Sequence, residues 1–77
     1  MTFTAEEMRQ LRDGIDNWCV FPTAPSLEQT RALNRLQTLR LVQVSRQDVN
    51  ATDISQRIAV NYTTSEAGRK AYYEARG

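Results

Sequence analysis

Two stretches decide how this chain reads: ALNRLQTLRLVQVSR (residues 32–46) and RIAVNYTTSEAGRKAYY (residues 57–73). In the first, Leu33, Leu36 and Leu39 recur at three-residue steps, which gathers them on one face of a helix. The composition then changes. Leu41-Val42-Gln43-Val44 brings in β-branched residues and alternation, the pattern of a strand. Gln47 to Asp53 is polar and reads as a loop. In the second stretch Ile58, Val60 and Tyr62 alternate with Ala59 and Asn61, giving a strand with one buried face. The two strands pair most simply as an antiparallel hairpin. Thr63 or Ser65 then caps a closing helix through Ala67, Ala71, Tyr72 and Ala75. Tyr72 and Tyr73 are adjacent, so both cannot face inward from that helix.

Working back toward the N-terminus, Ser26 and Gln29 form a capping box that opens the middle helix, and Leu27 joins Leu33, Leu36 and Leu39 on its expected apolar face. Gln29, Arg31, Asn34, Arg35 and Gln37 occupy much of the remainder. Phe21-Pro22-Thr23-Ala24-Pro25 interrupts helical structure, since each proline lacks an amide hydrogen and pushes its predecessor out of the helical region. Val20 and Phe21 are expected to tuck into the core there. Thr4-Ala5-Glu6-Glu7 is another capping box. Met8, Leu11, Ile15 and Trp18 continue as one apolar stripe, so the first helix is expected to run from Thr4 to about Cys19 with Trp18 inside. Gly14 weakens it by up to about 1 kcal/mol relative to alanine. The expectation is one α+β domain over residues 1–77, in the order α-α-β-β-α, with a two-stranded antiparallel wing.

Composition narrows the functional classes. The chain has 77 residues, 40% of them hydrophobic and 25% charged, as in an ordinary globular domain. A chain this short buries only about 60% of its unfolded surface, so its stability is modest. The net charge of +1 means that nucleic-acid affinity has to come from charge placement, not from total charge. With no histidine, the commonest general base and metal ligand is missing. The lone Cys19 cannot form an internal disulfide, which fits a reducing compartment, and no positive charge stands next to it in the sequence to activate it as a nucleophile. Asp13, Asp16, Asp48 and Asp53 lack the spacing of a calcium loop, and the three glycines form no phosphate-binding loop. These features argue against an enzyme and against a metal or cofactor. No apolar run approaches the roughly 20 residues that span a bilayer, and no secretion signal opens the chain, so the expected location is the cytoplasm.

Leu33-Asn34-Arg35-Leu36-Gln37-Thr38-Leu39-Arg40-Leu41-Val42 resembles the end of a winged-helix recognition helix and the start of its first wing strand. Tyr62-Thr63-Thr64-Ser65-Glu66-Ala67-Gly68-Arg69 resembles the turn that closes the wing in MarR-like and PadR-like regulators. The resemblance covers roughly the last 50 residues. It implies a winged helix-turn-helix protein that binds double-stranded DNA and regulates transcription. Gln29, Thr30, Arg31, Asn34 and Arg35 then fall where the family reads bases, and Arg46 and Arg57 flank the wing where phosphates would be held. Such regulators often dimerise through terminal helices, which would engage the outer tyrosine of the Tyr72–Tyr73 pair.

The sequence departs from the family at three points. Arg40 stands where the family has a glycine that ends the helix in a left-handed turn. Thr64 stands where the family has a core leucine. A full winged helix has three helices before its wing, whereas only two are evident here, so either a short helix lies around Gly14 to Phe21 or the unit is trimmed. A trimmed unit would suit an alternative function, a protein-interaction module that keeps the fold and engages a protein partner.

Overall fold

The computed structural model of the chain describes residues 2–21, 25–48 and 58–77. Within them, helix starts follow the capping residues. Thr4 Oγ1 accepts from the Glu7 amide at 3.1 Å while Glu7 Oε1 accepts from the Thr4 amide at 2.8 Å, and helix α1 occupies Ala5–Asp13. Ser26 and Gln29 repeat the exchange at 3.1 and 2.8 Å ahead of α2, Leu27–Thr38. Ser65 Oγ accepts from the Gly68 amide at 3.0 Å and opens α3, Glu66–Arg76.

The strands are β1 (Cys19–Val20), β2 (Val42–Asp48) and β3 (Ile58–Thr64). The β2–β3 pair is the wing-like hairpin expected from the alternation, in antiparallel register from Val42↔Thr64 to Asp48↔Ile58. β2 thus extends into the segment read as loop. β1 lies antiparallel on the other edge of β3, with Cys19↔Tyr62 and Val20↔Asn61, so among the described residues the two-stranded wing gains a short third strand, in the order β1-β3-β2. The α-α-β-β-α order holds once this short strand is added between α1 and α2.

The first helix is shorter than its apolar periodicity suggests. It stops at Asp13 because Gly14 turns the chain onto the sheet. The Gly14 carbonyl accepts from the Thr64 amide at 2.8 Å and from Thr63 Oγ1 at 3.0 Å. Only glycine permits this approach, since a Cβ there would sit 2.8 Å from Thr64 Oγ1 and 3.0 Å from Tyr62 Cε2. Residues from Cys19 therefore pair with β3 and do not continue the helix; no short helix occupies 14–21. Trp18, expected inside, is 56% exposed, and Val20 is 73% exposed while Phe21 is buried. Leu11, Phe21, Leu33, Leu36, Leu41, Val42, Tyr62 and Tyr72 form the core. Phe21 meets Tyr62 edge-on, with ring centroids 6.4 Å apart.

Two departures from the winged-helix pattern find physical explanations. Arg40 has φ of 61°, so the left-handed turn is made with arginine in glycine's place. Its amide donates to Gln37 O at 3.0 Å and the Leu41 amide to Leu36 O at 2.9 Å, the two bonds of a Schellman cap, with Leu36 and Leu41 both buried beneath it. Arg40→Gly is accordingly expected to raise stability by about 0.5 kcal/mol, the relief of a strained φ offset in part by greater unfolded-chain entropy, and urea denaturation midpoints check it. Thr64 is buried, and its Oγ1 donates to the Leu11 carbonyl at 2.7 Å, near the end of α1. The hydroxyl satisfies a carbonyl that the helix terminus leaves open, something leucine cannot do.

Candidate nucleic-acid interface

Helix α2 turns one face to the core and the opposite one to solvent. Ala32, Leu33 and Leu36 are buried. At 100° per residue the opposite line is Leu27, Arg31, Asn34 and Thr38, and all four are exposed. This line is roughly 16 Å long, about five base pairs of duplex. Leu27 does not join the apolar face: it is 63% exposed, because its position on the helix lies about 120° away from that of Leu33. It and Thr38 are the members of the line that the sequence reading did not pick out, and a helical wheel of α2 carries the signal for both.

The predicted contact residues separate into three groups. Arg31 and Asn34 lie on the outward line, and Arg31 makes no ion pair with another described residue. Thr30 flanks the line, with its hydroxyl donating to the Ser26 carbonyl at 3.0 Å. Gln29 and Arg35 are committed within the fold. The Gln29 side chain closes the cap of α2, and its backbone carbonyl accepts from Gln10 Nε2 at 3.1 Å. Of Arg46 the structure describes the backbone, paired with Val60 in the hairpin. Arg57 lies outside the described residues.

Arg35 joins α2 to α1. One guanidinium nitrogen donates to Glu7 Oε1 at 2.6 Å and to the Thr2 carbonyl at 3.3 Å, and Arg35 Cζ stands 5.9 Å from the centroid of the Phe3 ring. The Glu7 side chain is 3% exposed and that of Arg35 45%. Burial pushes the Glu7 carboxyl up, but the hydrogen bonds from Arg35 and the Thr4 amide and the charge of Arg35 outweigh it, so the group titrates below its ordinary range. Beside this pair a groove of about 670 Å³ runs along α2, lined by Thr4, Leu27, Glu28, Arg31 and Ala32 among others.

Elsewhere, Arg9 is paired to Glu6 at 2.7 Å and Arg12 to Asp13 at 3.2 Å, which neutralises the cations of α1. Arg31, Arg40, Arg69, Lys70 and Arg76 make no ion pair with another described residue. Cys19 is free and half-buried, beside the buried Tyr62, whose phenol is pushed above its ordinary range chiefly by burial. Tyr72 is buried and Tyr73 is 51% exposed, the division expected for adjacent helical residues. No helix among the described residues is long and apolar enough to cross a membrane. No protein-family model matches the chain, and neither does any curated protein or any solved structure.

Proposed function

We propose that this protein is a small winged-helix DNA-binding regulator of transcription, acting in the cytoplasm. The observation that carries the reading is the outward line of α2, where Arg31 and Asn34 stand exposed with the β2–β3 hairpin following directly. A B-DNA major groove about 12 Å wide admits one helix, in which arginine pairs with guanine and asparagine with adenine through two hydrogen bonds each. The hairpin would lie against the backbone. The near-neutral total charge is compatible with this, because Arg9, Arg12 and Arg35 are paired within the fold whereas Arg31, on the outward line, makes no ion pair with another described residue.

Fluorescence anisotropy with labelled duplex across salt concentrations tests the proposal. Binding should weaken as salt rises, and Arg31→Ala should lower affinity about tenfold, the effect of about 1–2 kcal/mol for one base or phosphate contact. Arg31 is a better probe than Arg35, whose removal also strands the Glu7 carboxylate. Absence of duplex binding at low salt would reject the proposal.

A specific observation favours the second reading, a protein-interaction module. Trp18, immediately before β1, and Val20, within it, are exposed at an edge strand of the sheet, and a single helix separates β1 from the hairpin. Exposed aromatic and aliphatic side chains beside an open strand edge suit a protein partner. A single co-purifying protein in stoichiometric amount, together with no duplex binding, would select it. A homodimer through α3 would instead protect Tyr73, which cross-linking and sedimentation would detect.

A further inference from the structure

Leu27 opens α2 and is 63% exposed, yet it continues the line through Arg31, Asn34 and Thr38 at steps of four, three and four residues. In helix-turn-helix readers the N-terminal residues of the recognition helix contact base edges. An apolar side chain there has one natural counterpart in the major groove, the 5-methyl group of thymine, which no other standard base carries. Leu27 also borders the groove shared with Arg31, one helical turn on, so a methyl packed against it would lie near the aliphatic stem of Arg31.

We infer that Leu27 is a specificity-determining residue that reads thymine, making the preferred site a duplex with a thymine near the start of α2, beside the bases read by Arg31 and Asn34. The inference rests on the DNA-binding reading proposed above. It also accounts for an exposed leucine that supports neither the core nor the helix cap.

The test begins with selection of bound duplexes from a random-sequence pool by the full chain. Each thymine of the selected site is then replaced by deoxyuridine, which removes the methyl group and leaves base pairing intact. One position should lose about fourfold in affinity, the value of burying one methyl. Leu27→Ala should bind the thymine duplex about as weakly as the wild type binds the deoxyuridine duplex, and should be indifferent to the exchange. Because Leu27 is exposed, this variant should keep the wild-type unfolding midpoint within error. Equal binding of both duplexes by the wild type, a selected site without a thymine-dependent position, or undiminished methyl sensitivity in Leu27→Ala overturns the inference and leaves DNA binding standing. Failure to enrich any duplex overturns both.

Discussion

Replacing Gly68 with alanine should remove about 3 kcal/mol or more of folding stability, a large fraction of what a domain this small possesses. Gly68 lies in the first turn of α3, where that helix docks on the turn between α2 and β2. A Cβ at this position would collide with the Leu41 carbonyl oxygen, and would also lie 2.7 Å from Thr64 Cγ2 and 2.9 Å from the Leu41 carbonyl carbon. A flexible side chain could move aside, but the Leu41 backbone cannot do so freely. Its amide is bonded to Leu36 O at 2.9 Å, and its carbonyl accepts from the Ser65 amide at 2.9 Å. Intrinsic helix preference acts in the opposite direction, favouring alanine over glycine by about 1 kcal/mol. The sign of the measured effect therefore decides between local propensity and tertiary approach. Urea denaturation followed by far-ultraviolet circular dichroism is the appropriate measurement, because Trp18 is too exposed to report faithfully on burial. Ala67→Gly, on an exposed position of the same turn, should cost about 1 kcal/mol at most. A Gly68→Ala variant as stable as the wild type would mean that α3 does not dock against Leu41.

The features legible in the sequence are those whose partners lie within a few residues. Thr4 with Glu7 and Ser26 with Gln29 are capping exchanges across three residues, and both form as read. The alternation of Val42–Val44 and of Ile58–Tyr62 likewise gave the hairpin through a local pattern. What could not be read depends on distant partners. Periodicity carried the first helix through Ile15 and Trp18, whereas Thr63 and Thr64, about fifty residues away, hold the Gly14 carbonyl and end it. Arg40 looked like a break from the left-handed helix end, yet Ser65 Oγ donates to its carbonyl at 3.0 Å and helps hold the turn with arginine in it. Arg35 looked like an outward cation because its partner, Glu7, lies 28 positions earlier. Of the proposed interface, Arg31 and Asn34 were legible because helix geometry alone sets their direction. Leu27 was missed because its residue type was weighed ahead of its angle on the helix.

The Glu7–Arg35 pair should produce the second large effect, and its signature is a dependence on pH. Arg35→Ala should cost about 2 kcal/mol at pH 7, because it leaves a buried carboxylate without its counter-charge. The cost falls short of that for a fully enclosed pair because the Arg35 side chain is 45% exposed and water reaches one partner. In the wild type Glu7 titrates below its ordinary range, so the pair contributes fully above the unfolded carboxyl pKa of about 4.3 and is lost as pH falls through the lower folded value. In Arg35→Ala the same burial, no longer opposed by arginine, favours the protonated acid, and acidification should relieve the variant while it weakens the wild type. The deficit of Arg35→Ala should therefore shrink steadily between pH 7 and pH 3. Glu6 also titrates low, chiefly through its hydrogen bond from Arg9, but that contribution is common to both proteins and cancels in the difference. In a Glu7→Gln background, where the cap can persist without the charge, Arg35→Ala should cost less, and its cost should not vary with pH. A deficit constant across this range would show that Arg35 stabilises through its guanidinium over Phe3 and its bonds to the Thr2 carbonyl, not through Glu7. A stability role of this size also means that weakened duplex binding by Arg35→Ala would not, taken alone, place Arg35 on the DNA, whereas the same result for Arg31→Ala would bear directly on the outward face of α2.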